Sequence, residues 1–242
     1  MKHLISEKIS FRTHLSSKNV ALIGVFASIH AVLYFIPSPL WRNWAIYLEP
    51  VEGIVLGPLA GSLAAFIGSV TARLIKPDEF WMFGLIAEPI GVLFSGLLAK
   101  GRWKQSMMIY SVMLTAYFIH PFGRLLPLWT ILDVLISFTL IYPVSRLSKK
   151  IFVGRGSSLF IPLAVIAFIT SSTDSLVRIF LLIPAGLYSF FGLNFEVVYI
   201  MFVSGAVISY IEDAIAVAFS LVAGSEILAA LKKFLGLSAP LS

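Results

Sequence analysis

The chain has 242 residues, 59% of them hydrophobic and 12% charged, with a mean hydropathy of +0.95 and a net charge of +6. Soluble domains carry about 25% charged residues, so half that share in so apolar a chain excludes a soluble globular fold and indicates a polytopic membrane protein. There is no cysteine, which removes disulfide frameworks, thiolate chemistry and thiolate-bound metals from consideration.

The apolar residues run continuously rather than alternating, which favours spanning helices over a barrel. The opening stretch, MKHLISEKISFRTHLSSKNV, is basic and polar for too long to be a simple signal peptide. Residues 1–19 are therefore read as a cytoplasmic segment ahead of a retained first helix. Eight apolar segments follow, at 20–36, 44–56, 58–75, 80–99, 106–119, 125–144, 159–183 and 197–223. They make residues 20–224 one all-α transmembrane bundle, with 225–242 as a cytoplasmic tail. The second and fifth fall short of the roughly 20 helical residues that cross a hydrocarbon core. They are expected as tilted partners, half-helices or re-entrant segments.

With the N-terminus inside and the segments alternating, most of the 18 basic residues fall on the inner side. Arg42, Arg73, Lys76, Arg124 and Arg178 stay outside. That bias satisfies the positive-inside rule with both termini cytoplasmic at the cell membrane.

The first segment carries Gly24, Ala27, Ser28 and Ala31 on one face, with Ala27-x-x-x-Ala31 as a small-xxx-small pair. His30 beside it is read as a packed, hydrogen-bonded residue. Next comes LEPVEGIVLGPLAGSLAAFIGSVTARL, residues 48–74, which breaks at Gly57-Pro58. Gly57, Gly61, Ala64, Ala65, Gly68 and Ala72 recur at helical spacing, a face that lets helix backbones approach closely.

Ionisable groups inside a membrane are costly and face a partner or a cavity. Glu49 and Glu52 open the second segment, Glu88 lies in the outer half of the fourth and Asp133 in the outer half of the sixth. Asp174 and Arg178, spaced for an i, i+4 ion pair, follow the polar run 170–173. Glu212 and Asp213 sit deeper, towards the inner side. This convergence predicts a pocket opening outward and closed towards the cytoplasm. Trp41, Trp44, Tyr47, Trp81, Phe83, Trp129 and Tyr188 cluster near the same side as an aromatic belt. Trp81 and Trp129 are the candidates for walls against a flat heterocycle. The expected substrate-binding set is Glu49, Glu52, Trp81, Glu88, Trp129, Asp133, Asp174 and Arg178. Acids outnumber bases among these, which leans towards a cationic or zwitterionic aromatic ligand.

Three features over residues 20–100 together resemble the substrate-binding S component of energy-coupling factor (ECF) transporters. They are Ala27-x-x-x-Ala31, the turn Leu56-Gly57-Pro58-Leu59-Ala60-Gly61 ahead of a small-residue helix, and Glu88-Pro89-Ile90-Gly91 in the fourth segment. The resemblance implies a six-helix fold that captures a vitamin-like micronutrient in an outward pocket. It also implies a transmembrane coupling subunit and two ATP-hydrolysing subunits as partners, docked on the face of Gly24, Ala27, Ser28 and Ala31. Against six helices stand eight segments, so either 106–144 is an added hairpin or the division into eight is too fine.

No HExxH, lipid-phosphate aspartate pair or serine nucleophile elbow is present, so an enzyme is not expected. The four histidines are dispersed and no metal or other cofactor is expected. No GxxxxGK[ST] loop occurs, so the chain cannot power itself with ATP. The basic residues mark a membrane face rather than a nucleic-acid surface. The competing reading is an ion-coupled secondary transporter, with Glu88 or the Glu212/Asp213 pair carrying a coupling proton.

Overall fold

In lipid a backbone must satisfy its own hydrogen bonds, so long apolar runs fold as helices. The computed structural model describes residues 17–153, 156–236 and 239–241, and every regular element among them is helical. In chain order these are α1 (Ser17–Phe35), α2 (Glu49–Leu56), α3 (Pro58–Ile75), α4 (Trp81–Ala99), α5 (Trp103–Ile119) and α6 (Pro121–Leu125). Then follow α7 (Leu132–Leu147), α8 (Lys149–Val153), α9 (Phe160–Leu182), α10 (Leu187–Phe190), α11 (Phe195–Phe219) and α12 (Ser225–Leu235). Among the described residues, five helical stretches are long and apolar enough to cross a bilayer: Pro58–Ile75, Trp81–Ala99, Leu128–Leu147, Phe160–Leu182 and Phe195–Lys233. The protein is a polytopic membrane helix bundle.

Contacts between distant residues fix which helix ends lie together. Asn19 Nδ2, at the start of α1, donates to the Leu241 carbonyl at 3.4 Å, and Leu241 N donates to the Val55 carbonyl at 3.1 Å. Lys232 Nζ on α12 donates to the Ile151 carbonyl on α8 at 2.5 Å. The start of α1 and the ends of α2, α4, α7 and α12 therefore share one end of the bundle, which also holds Lys100, Arg102, Lys104, Arg146, Lys150 and Lys233. At the opposite end, Tyr34 Oη donates to the Lys76 carbonyl and to Asp78 Oδ2, both at 2.9 Å. The chain passes between these ends eight times, counting the segment through α2. Lys2, Lys8, Arg12 and Arg155, expected with the basic group, lie outside the described residues, as does most of the N-terminal segment; α1 already begins at Ser17. The expected C-terminal tail is helical as far as Leu235, because α11 runs through a π-helical turn at Ser220–Gly224 straight into amphipathic α12.

The second pass is the unusual one. Asn43 caps a 3-10 turn at Trp44–Tyr47 by accepting from Ala45 N at 2.8 Å, and α2 follows with all eight of its residues buried. Eight residues make about 12 Å of helix, so α2 is a half-helix held inside protein. It ends at Gly57, whose φ of 84° needs a residue without a β-carbon. Pro58 then opens α3, where its missing N–H would have had no partner.

Small residues on α3 bring α1, α2 and α4 close. A β-carbon on Gly61 would lie 2.8 Å from Val92 Cγ1, and one on Gly68 would lie 2.7 Å from the Ala27 carbonyl oxygen and 2.8 Å from His30 Cβ. Ala64, Ala65 and Ala72 on the same face are fully buried. This corrects the expectation for α1: Ala27 and Ala31 are 6% and 9% exposed, so they are covered by the chain itself rather than open to a coupling subunit. Two small-residue faces that both favour close approach have packed on each other. Gly24 and Ser28 do remain exposed, and a β-carbon on Gly24 would meet nothing within 4 Å among the described residues.

Gly53 is the tightest point of α2. A methyl group there would land on Ser95 Oγ and the Val92 carbonyl, and 2.8 Å from Gly96 N, where backbone cannot yield. Gly53→Ala should lower stability by about 2 kcal/mol, read as a drop in the thermal midpoint of the detergent-purified protein.

Candidate functional site

Helices α1, α2, α3, α4, α7, α9 and α11 all send ionisable side chains inward. Seven acids (Glu49, Glu52, Glu88, Asp133, Asp174, Glu212 and Asp213) share the interior with Arg42, Arg73, Arg178 and His30. Buried charges survive when paired and hydrogen-bonded, and the pairing here forms two clusters.

Glu88 is the hub of the first. It accepts from Arg73 Nη2 at 2.6 Å and from Arg73 Nη1 at 3.1 Å, from Asn43 Nδ2 at 3.0 Å, and from Ser69 Oγ. His30 stands between two acids, with Nε2 3.1 Å from Glu88 Oε2 and Nδ1 3.1 Å from Glu52 Oε2. An imidazole serves two carboxyl groups only when a proton sits on each contact. One network thus ties α1, α2, α3 and α4 together. Glu49 is a neighbour without such partners among the described residues: both its oxygens are buried with no hydrogen bond there, and it packs against Gly91 of α4.

Arg42 is the hub of the second cluster. Its backbone N donates to Glu212 Oε1 at 2.8 Å and its Nε donates to Glu212 Oε2. Its Nη1 donates to the Ser171 carbonyl at 3.0 Å and lies 3.5 Å from Asp174 Oδ2, while Nη2 is 3.6 Å from Asp213 Oδ1. In α9 the hydroxyls of Thr170 and Thr173 bond back to their own helix, at 2.8 and 2.6 Å, which leaves Asp174 for the arginines. Arg178 closes the i, i+4 pair, with Nε 2.6 Å and Nη2 3.2 Å from the Asp174 oxygens. Its Nη2 is also 3.9 Å from Glu88, which joins the two clusters.

Above the second cluster lies a cavity of about 480 Å³, between the 41–42 segment, the start of α4, α7, α9 and α11. Its walls are largely apolar, from Trp41, Phe80, Phe83, Ile179, Leu182, Met201 and Phe202. Arg42, Asp133, Arg178 and Glu212, with Thr130, Ser175 and Ser209, form its polar floor. The Trp41 ring lies across α11, 2.9 Å from where a Gly205 β-carbon would sit. The cavity occupies the half of the bundle away from the basic end, where α9 terminates and α11 begins.

Of the expected binding residues, Asp133 and Arg178 line this cavity. Glu49, Glu52, Glu88 and Asp174 do not; they are fully buried behind its wall. Trp81 and Trp129, 44% and 42% exposed, also lie outside it and face the bundle surface. Trp129 contributes a carbonyl that accepts from Tyr210 Oη. Arg42, Glu212 and the Phe80, Phe83 and Phe202 rings line it without having been in that set. Tyr47, placed in the aromatic belt, is buried at 1% exposure beside Phe219.

No family profile and no solved structure matches the chain. An uncharacterised protein of Methanocaldococcus jannaschii is 26% identical over 131 residues, which cover 53% of this chain and 44% of the relative. The chain thus spans less than half the length of that archaeal protein.

Proposed function

We propose that this protein is a membrane-embedded solute-binding subunit of an importer, of the energy-coupling type that residues 20–100 resemble, and that the cavity under Trp41 is where the solute is captured. The observation that carries the reading is the cavity itself: apolar walls, a fixed charged floor, and a position in the half of the bundle away from the basic residues. Pockets of this size and make-up hold small organic molecules. With the basic end cytoplasmic by the positive-inside rule, the cavity faces the outside. In this reading the docking face for a coupling subunit is the exposed pair Gly24 and Ser28, since Ala27 and Ala31 are covered.

Mass spectrometry of the protein purified from its own host should identify one dominant co-retained solute. Ala206→Phe puts a ring into the cavity wall and should abolish that retention with the thermal midpoint unchanged. Retention that survives the ring would move the capture site elsewhere.

One observation favours a second reading, an ion-coupled carrier that works alone. Seven buried acids face three arginines and one histidine, and such a surplus suits a coupling cation or proton. Uptake into proteoliposomes separates the two. Accumulation driven by an ion gradient, without nucleotide or other subunits, establishes the second reading and ends the first.

A further inference from the structure

The floor of the cavity is not evenly open. Arg42, Asp133 and Glu212 line it, yet each is 5% exposed or less; Arg42 and Glu212 bond each other within the second cluster, and Asp133 Oδ2 accepts from Ser209 Oγ at 3.0 Å. Arg178 is the exception, with 26% of its side chain exposed. A guanidinium has five N–H donors in a planar fork. The Asp174 carboxylate engages Nε and Nη2 of Arg178, while Nη1 has no hydrogen-bond partner among the described residues. Asp174 is also shared, because Arg42 Nη1 approaches the same Oδ2. The cavity therefore offers a solute apolar and aromatic walls and one open, rigidly held cationic edge.

We propose that the cavity selects a solute with a carboxylate on an apolar body, and that the carboxylate binds the free edge of the Arg178 guanidinium; this rests on the capture site described above. Nη2 is held by Asp174 and also lies 3.9 Å from Glu88, so Nη1 supplies the donors, and an N–H of a guanidinium meets a carboxylate oxygen with charge assistance. The surplus of acids does not reverse the preference: Glu49, Glu52, Glu88, Asp174 and Asp213 do not line the cavity, and the two acids that do, Asp133 and Glu212, are 4% and 2% exposed. Of the lean towards a cationic or zwitterionic aromatic ligand, which came from counting acids along the chain, the purely cationic option is replaced by the accessibility of a single arginine.

The test uses three probes sharing one ring, measured by calorimetry on the protein in nanodiscs against empty discs: indoleacetate, indoleacetamide and tryptamine. Indoleacetate should bind at least about tenfold more tightly than the other two, the scale of one charge-assisted hydrogen bond. Arg178→Lys should keep the order of preference with weaker binding, and Arg178→Gln should erase it. Tightest binding by tryptamine, no binding by indoleacetate, or a preference that persists in Arg178→Gln overturns the inference. The same probes on Ala206→Phe keep the two readings apart. Equal binding of all three, abolished by the ring, removes the carboxylate preference and leaves the capture site standing. A preference for indoleacetate that survives the ring removes both.

Discussion

Arg42→Met should leave little folded protein. The arginine holds Glu212 through its side chain and backbone, and it approaches Asp174 and Asp213 as well. Methionine fills similar space but strands these carboxyl groups in a closed interior. Removing one partner of a buried ion pair costs about 3–5 kcal/mol, a large part of the roughly 5–15 kcal/mol that holds a domain folded. Arg42→Lys keeps the charge but loses the planar fork, and should fall between wild type and Arg42→Met. Adding Glu212→Gln to Arg42→Met should recover part of the loss, since one stranded charge is removed. Fluorescence-detected size exclusion and thermal midpoints in detergent read all three. An Arg42→Met protein that elutes and melts like wild type would show that the cluster contributes little.

The second large effect separates two positions three residues apart. Ala27→Trp forces an indole into the α1–α3 contact, where the Ala27 carbonyl already lies 2.7 Å from the site of a Gly68 β-carbon. Overpacking of this kind costs about 1–3 kcal/mol even for added methylenes, and an indole is far larger, so monodisperse protein should be lost. Gly24→Trp projects from the open side of the same helix, where nothing among the described residues lies within 4 Å of a β-carbon. It should fold normally and, on the importer reading, fail only to assemble with a coupling subunit. Equal yields of the two variants would contradict the packing of α1 on α3.

The helices were legible because hydropathy marks them directly. Residues 58–75 fold as the helix expected there, and the others begin or end within a few residues of their apolar segments. The second segment was legible as too short to span, which left a tilted partner, a half-helix or a re-entrant segment, and the structure makes it a half-helix. The partners of the charged residues were not. Arg42, between Trp41 and Asn43, has the composition of an outer loop, and only the inward turn of the chain brings it to Glu212, 170 residues away. A signal existed: several acids in apolar segments had no base beside them, so an arginine had to come from outside those segments. Glu88 resisted in another way. It was expected at the binding surface, yet its oxygens are taken up by Arg73, His30, Ser69 and Asn43. The small-residue face of α1 was visible, but a sequence does not say whether its complement lies on another protein or on α3.

The half-helix has a consequence for how the chain is assembled in the bilayer. Residues 37–56 contain a proline-rich approach, Arg42, two glutamates and a helix of about 12 Å, a poor substrate for insertion as an independent unit into a hydrocarbon layer of about 30 Å. Its backbone and charges become tolerable only when α3, α4, α9 and α11 already surround them. During biogenesis this early stretch of the chain is therefore expected to settle only once helices synthesised long after it are in place.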